Sequence, residues 1–184
     1  DFSGGNGGGA ITIEATNSLD ELVSAINNQA YGVVASKNST GGIDLVSDQG
    51  NKIVVGGTVT GSGLSAGTYQ GSVSLTSADG SDISISKGTN AAAGVLDIIN
   101  MGFNVTEGSQ SSVSGSTIQH HANDDFQILA SDRLTVNGVQ IGTTRLDRDK
   151  SDLNAADLAA TINAVSAQTN VTASAKTVVQ VQVN

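Results

Sequence analysis

The sequence predicts an α+β fold in which small helices pack on antiparallel sheets. Three observations carry that prediction. Short apolar alternations, such as Ile43-Asp44-Leu45 and Leu134-Thr135-Val136, are bounded by Gly, Asn and Asp turns, which is the pattern of half-buried strands. Two segments instead space their apolar residues as one helix face does: Leu19, Leu22, Val23 and Ile26, then Leu158, Ile162 and Val165. A strand pattern follows each helix, so one helix-plus-strand unit occurs twice.

From the N-terminus, Gly4, Gly5, Gly7, Gly8 and Gly9 mark residues 1–9 as a flexible leading segment. It lacks the basic and apolar parts of a secretory signal and reads as the cut end of a longer chain. Ile11 and Ile13 alternate as a short strand. Asn17 or Ser18 caps the first helix, and Asp20 and Glu21 sit in its first turn, where the helix dipole favours acids. Gly32 ends the turn that follows, and residues 33–36 form a strand. Gly41-Gly42 and Gly50-Asn51 turn the chain on either side of a strand at Ile43 and Leu45, with another at 53–55. Residues 56–71 hold six glycines and predict a long surface loop with a short strand at 58–60.

Val73 and Leu75, Asp79-Gly80, then Ile83 and Ile85 predict a hairpin, because Asp-Gly suits the positive φ angles of a tight turn. A helix from Asn90 through Ile99 stops at Gly102, and Phe103 and Val105 continue as a strand. The Ser- and Gly-rich stretch 108–117 predicts a linker. Phe126, Ile128, Leu134 and Val136 alternate into Asn137-Gly138, the strongest hairpin signal in the chain, answered by Val139 and Ile141. Asp152 or Asn154 caps the last long helix, and Val171, Ala173, Val179, Val181 and Val183 close the chain as strands. The predicted organisation is the leading segment 1–9, a first module over 10–86 and a second over 87–184. The cut near residue 87 leaves a single copy of the unit in each module; a nested arrangement, with the two ends paired around an inserted middle, also fits.

Composition narrows the function. Gly, Ser, Thr, Asn and Asp make up half of the residues, the apolar set is 38%, and the aromatics are three Phe and two Tyr. Such a chain builds a thin aliphatic core and no deep apolar pocket, so no cofactor is expected. The net charge is -9 with only eight basic residues, which argues against nucleic acid and against an anionic membrane surface. No apolar run reaches the ~18 residues of a membrane span. Cysteine is absent, which excludes disulfides, thiolate metal sites and a Cys nucleophile. Proline is absent too, so no X-Pro isomerisation of tens of seconds enters folding.

The chemical candidates are weak. His120-His121 with Asp124 and Asp125 has metal-ligand types, but adjacent strand residues point to opposite faces. Asp147-Arg148-Asp149-Lys150-Ser151-Asp152 starts like a calcium loop, yet Asp152 stands where that loop needs Gly and Leu158 where it needs Glu. A charged turn leading into the helix cap explains it more simply. Gly4 to Gly9 lacks the Lys and Ser/Thr of a phosphate loop. No Ser stands in a Gly-x-Ser-x-Gly elbow between strand and helix. No metal and no catalysis are expected. Asn38, Asn104 and Asn170 each begin an N-glycan acceptor pattern, in a composition where chance matches are frequent.

The repeat is more specific. Glu21-Leu22-Val23-Ser24-Ala25-Ile26-Asn27 precedes Gly32-Val33-Val34-Ala35-Ser36, and Asp157-Leu158-Ala159-Ala160-Thr161-Ile162-Asn163 precedes Asn170-Val171-Thr172-Ala173-Ser174. The second connection is two residues longer. Asp97-Ile98-Ile99-Asn100 before Phe103-Asn104-Val105-Thr106 is a weaker echo. In each copy the Leu and Ile share a helix face that anchors to a sheet, and the Asn is expected to bond the last helical turn or to end the helix in the left-handed conformation. Leu22, Ile26, Asn27, Asn137, Gly138, Leu158, Ile162 and Asn163 are therefore the structural motif residues.

Together with Asn137-Gly138-Val139-Gln140-Ile141, these segments resemble the IN motif of flagellins and flagellar hook-associated proteins. The resemblance implies the variable outer region of a flagellin, exposed on the bacterial flagellar filament. In that family long heptad helices at both chain ends build the filament core. Neither is present here, so assembly with neighbouring subunits would run through the missing helices, with weak contacts between outer modules. The resemblance also implies O-linked glycans on exposed Ser and Thr, which fits 108–117. A hook-associated or filament-cap domain is the alternative within the apparatus, and a cell-surface adhesin module is the alternative of another class.

Overall fold

The computed structural model describes residues 2–4, 11–29, 32–59, 63–89, 95–104, 110–118, 134–142 and 154–181. The fold is α+β, and the chain divides into two units, residues 1–71 with 176–184 and residues 72–175.

The first unit contains β1 (Phe2–Gly4), α1 (Leu19–Gln29), β2 (Val34–Lys37), β3 (Ile43–Ser47), β4 (Ile53–Val55) and β5 (Gly67–Tyr69). One antiparallel sheet has the order β1-β4-β5. In the other, β2 pairs with β3, and β3 with the C-terminal part of β11 (Val171–Val181) in the register Val179 to Leu45. Alternation decides which faces are buried: Ile43, Leu45 and Ser47 of β3 point inward, as do Ile53 and Val55 of β4. Leu22 and Ile26 of α1 join them with Val33, Ala35, Leu64 and Val179 in a thin aliphatic core. Gly41 and Gly50 take positive φ in the turns flanking β3, as their sequence positions predicted.

The second unit contains β6 (Ser72–Ser77), β7 (Ile85–Lys87), α2 (Val95–Asn100), β8 (Ser112–Thr117), β9 (Leu134–Val136), β10 (Val139–Ile141), α3 (Ala155–Asn163), α4 (Ser166–Thr169) and the first part of β11. Its sheets are β10-β9-β7 and β11-β6-β8. The core is larger and gathers Val73, Leu75, Ile83, Ile85, Ile98, Met101, Phe103, Leu134, Val136, Leu158 and Ile162, among others. The Asn137-Gly138 hairpin has two turn residues, both at positive φ (48° and 76°), between Val136 and its partner Val139. That is the geometry whose twist matches the flanking strands.

Several sequence expectations are corrected. Residues 2–4 of the leading segment form β1, paired with Ile53–Val55. In the glycine-rich stretch the strand lies at 67–69 and not at 58–60, of which Thr58 and Val59 are non-strand. The hairpin expected around Asp79-Gly80 does not form. β6 has β8 and β11 on its two sides, so the chain passes on and β7 pairs with β9 instead.

The expected linker 108–117 contains β8, which pairs with β6 and buries Val113. Within that stretch Gly115 is a packing requirement, and so is Gly102 on the segment facing it. A Cβ on Gly115 would sit 2.5 Å from the Val73 carbonyl oxygen, and one on Gly102 would overlap the Ser116 carbonyl oxygen. Gly102, at φ 86°, ends α2 as predicted: its N–H bonds the Ile99 carbonyl and the Phe103 N–H bonds the Ile98 carbonyl, a Schellman motif. Phe103 is thus committed to the cap and is not a strand residue.

Candidate functional site

The residues singled out by the repeat make two copies of one device. In the first, Ser18 caps α1: its Oγ accepts the Glu21 N–H at 3.2 Å, while the Glu21 carboxylate accepts the Asn17 N–H at 2.9 Å. This is a capping box shifted by one residue. Leu22 and Ile26 are buried, which lays the helix on the sheet and brings Asn27, one residue past Ile26, beside β2. The Asn27 Nδ2 donates to the Ala35 carbonyl at 2.9 Å, and the Ala35 N–H donates to Asn27 Oδ1 at 2.7 Å.

Both bonds belong to one strand residue, and its partner across the sheet is Leu45. In an antiparallel ladder the N–H and C=O of a residue point to the same side, so Ala35 turns both away from β3, toward the free edge. The carboxamide presents an N–H and a C=O to Ala35 in the spacing of a peptide group and pairs as an added strand residue would. An exposed ion pair, Lys37 with Asp20 at 2.6 Å, joins the same two elements and contributes at most about 1 kcal/mol.

The second copy repeats the geometry. Asn154 caps α3, its side chain accepting the Asp157 N–H at 3.0 Å. Leu158 and Ile162 are buried, and Asn163 closes the helix. Asn163 Nδ2 donates to the Ala173 carbonyl at 2.9 Å, and the Ala173 N–H donates to Asn163 Oδ1 at 2.7 Å. The extra length of this connection is taken up by α4, which Asn170 ends in the left-handed conformation at φ 57°. Neither Asn27 nor Asn163 adopts that conformation. The expectation that they cap their own helices is corrected: the amide matches a strand's N–H and C=O together, which a helix end does not present.

Asn137 has a larger role than its turn predicted. Its N–H donates to the Ser84 carbonyl at 2.9 Å and its Oδ1 accepts the Ser84 N–H at 2.8 Å. Its Nδ2 donates to the Thr169 carbonyl at 2.9 Å. One residue thereby ties the β9–β10 hairpin to the segment before β7 and to the end of α4. Gly138 has open space around it, so its positive φ is what requires glycine.

The sequence pattern that defines flagellin hook IN motif proteins matches residues 1–49 and 133–184, more than half of the chain. This chain belongs to the flagellin hook IN motif family. Both helix–asparagine–strand copies and the Asn137-Gly138 turn lie within the matched segments. The family is structural and belongs to the bacterial flagellum, where its members assemble with other flagellin subunits. Comparison with curated proteins and with solved structures gives no significant match.

His120, His121, Asp124 and Asp125, and the run Asp147 to Asp152, lie outside the described residues. Among the described residues no three His, Asp or Glu gather to hold a metal, and no helix is long and apolar enough to cross a membrane. Asn38 of the first acceptor pattern is committed to its turn: its Oδ1 accepts the Thr40 and Gly42 N–H groups, and its Nδ2 donates to Asp44.

One carboxylate is displaced from its ordinary behaviour. Asp79 Oδ1 accepts from the Ser81 hydroxyl at 2.6 Å, the Ser81 N–H at 2.9 Å and the Ser77 hydroxyl at 2.9 Å. The Ser81 hydroxyl, then its N–H, then the Ser77 hydroxyl hold its pKa down at about 2. This exposed carboxylate closes a turn.

Proposed function

We propose that this IN motif chain is an exposed, secreted outer module of a flagellar filament protein. It is displayed in many copies along the filament and forms part of the surface of the motility organelle. The observation that carries the reading is the use to which the motif residues are put: all eight act in packing, backbone pairing or turn formation. A net charge of -9 keeps such a surface hydrated and the copies soluble. Assembly belongs, in this reading, to regions of the subunit other than this module, with weak contacts between neighbouring modules and glycans on exposed Ser and Thr.

The family's description spans flagellin and hook proteins, which favours a hook-associated or filament-cap domain as the second reading. Immunogold labelling of intact cells, with an antibody to this chain, separates the two. Gold along whole filaments is expected. Gold confined to the tips selects the cap, and gold on the cell body beside bare filaments removes the flagellar reading and leaves an adhesin.

A further inference from the structure

Asn-Gly is the residue pair most prone to internal cyclisation, because glycine puts no side chain in the way of its own nitrogen. At Asn137-Gly138 the space around Gly138 is open, yet the Asn137 carboxamide is tied at both ends. Its Oδ1 is held by the Ser84 N–H and its Nδ2 by the Thr169 carbonyl. Cyclisation requires the side-chain Cγ to turn onto the Gly138 nitrogen, which breaks both bonds.

We propose that Asn137 is a modification site gated by folding: it is locked while the second unit is closed, and converts irreversibly to aspartate or isoaspartate when that unit opens. The Gly138 nitrogen bonds to Cγ, the Cγ–Nδ2 bond breaks, and Nδ2 leaves as ammonia with the proton that the Gly138 nitrogen gives up. Water then opens the cyclic imide at one of its two carbonyls. One water is consumed and one ammonia released, with no oxidant or reductant.

The product does not fit the lock. An aspartate places an acceptor oxygen where Nδ2 donated to the Thr169 carbonyl at 2.9 Å. An isoaspartate adds a methylene to the backbone of a two-residue turn whose φ angles are fixed at 48° and 76°. Conversion therefore marks molecules that have opened and disfavours their return to the original pairing. This inference concerns the chain's own chemistry and stands whether or not the display role is correct.

The test incubates the full chain in mildly alkaline buffer, folded and in urea, and follows the Asn137 peptide by mass spectrometry with isoaspartate detection. Asn6-Gly7, the other Asn-Gly pair in the chain, lies outside the described residues and is read on its own peptide. Conversion at Asn137 is expected to be at least about tenfold slower in the folded chain, the protection that a local opening free energy of about 1.4 kcal/mol gives. Equal rates overturn the gating. The second measurement is the melting temperature of Asn137→Asp, one of the two products. A lowered value is expected, and a wild-type value overturns the claim that conversion opposes reclosure.

Discussion

The two helix–asparagine–strand copies hold one strand alanine by the same pair of bonds, 2.9 and 2.7 Å in each, but they are supported unequally. α1 buries two residues, Leu22 and Ile26, whereas α3 buries five, Ala155, Leu158, Ala159, Thr161 and Ile162. Near the second copy the Asn137 amide also holds the Thr169 carbonyl, and Thr169 Oγ1 accepts the Val171 N–H at 3.2 Å. The clamp itself recognises only backbone, so it is portable between an edge strand such as β2 and the first part of β11. What differs is how firmly the rest of the unit presents the helix to it. The clamp also blocks outward N–H and C=O groups that would otherwise template pairing with another chain, a hazard for a protein whose family assembles with other flagellin subunits.

The largest effect separates the units by chain order. The second unit is continuous over 72–175, whereas the first needs 176–184 to complete its sheet. Val179 is buried opposite Leu45, so removing 176–184 takes out a core strand. Hydrogen exchange of that truncation is expected to show protection lost in β2, β3 and α1 and kept in β6, β9 and α3. Protection kept in both would mean that the first unit closes without β11.

Core truncations come next and favour the second copy. Ile26 and Ile162 are both fully buried, and Ile→Ala at such sites costs about 2–5 kcal/mol. Ile162→Ala is expected near the top of that range, in the larger core, and Ile26→Ala toward the bottom, where a thin core closes more readily over the cavity. Urea unfolding of the two variants checks the order.

At the clamps the order is expected to reverse. The Asn27 bonds are partly buried and those of Asn163 are exposed, and water replaces a lost partner more easily at an exposed site. Asn27→Ala is expected to cost about 1–3 kcal/mol and Asn163→Ala less. Asn→Asp should be worse than Ala at both, since a carboxylate oxygen would face the alanine carbonyl. Were Asn163→Ala the costlier in urea, the exposure argument would fail and the second clamp would be the keystone of its unit.

A gain is expected inside the first unit. Ser47 and Thr177 are fully buried, face each other across β3 and β11, and their hydroxyls have no hydrogen-bond partner. Thr177→Val keeps the shape and removes a buried unsatisfied group, which should raise stability by about 1 kcal/mol, read as a higher urea midpoint. An unchanged or lower midpoint would mean that the hydroxyl is satisfied in solution.

What the sequence made legible was local. Helix faces, the Ser18 and Asn154 caps, the Gly102 stop and the Asn137-Gly138 turn are each written within a few neighbouring residues. Periodicity states which face of a strand is buried but not which strand lies beside it, so β7 was assigned to β6 when its partner is β9. β8 was hidden for a related reason: Gly115 is small because the distant Val73 backbone approaches it, and in the sequence that looks like a linker. The clamp sits between these cases. The repeat of Ile-Asn before Ala-Ser was visible, but Ala35 and Ala173 as its targets required the fold. The Asn137–Ser84 contact, between residues far apart in sequence, left no signal beyond the turn.

The smallest effect tests the turn that ought to have been a hairpin. Asp79 has its pKa lowered from 3.8 to about 2 by Ser81 and Ser77, so the folded state holds the carboxylate charged more firmly than the unfolded chain does. A depressed pKa gives stability that is fully present above about pH 4 and is lost as the pH falls through about 2. Because the group is exposed, the contribution is small and is best read as a difference between variants. Asp79→Asn keeps an acceptor oxygen for the turn but has no proton to gain, so its stability relative to wild type should converge as the pH falls from 4 to 2. The Asp79 carboxyl signal in NMR should titrate near 2 in the folded chain. A midpoint near 3.8 would show that the serines do not hold the carboxylate in solution.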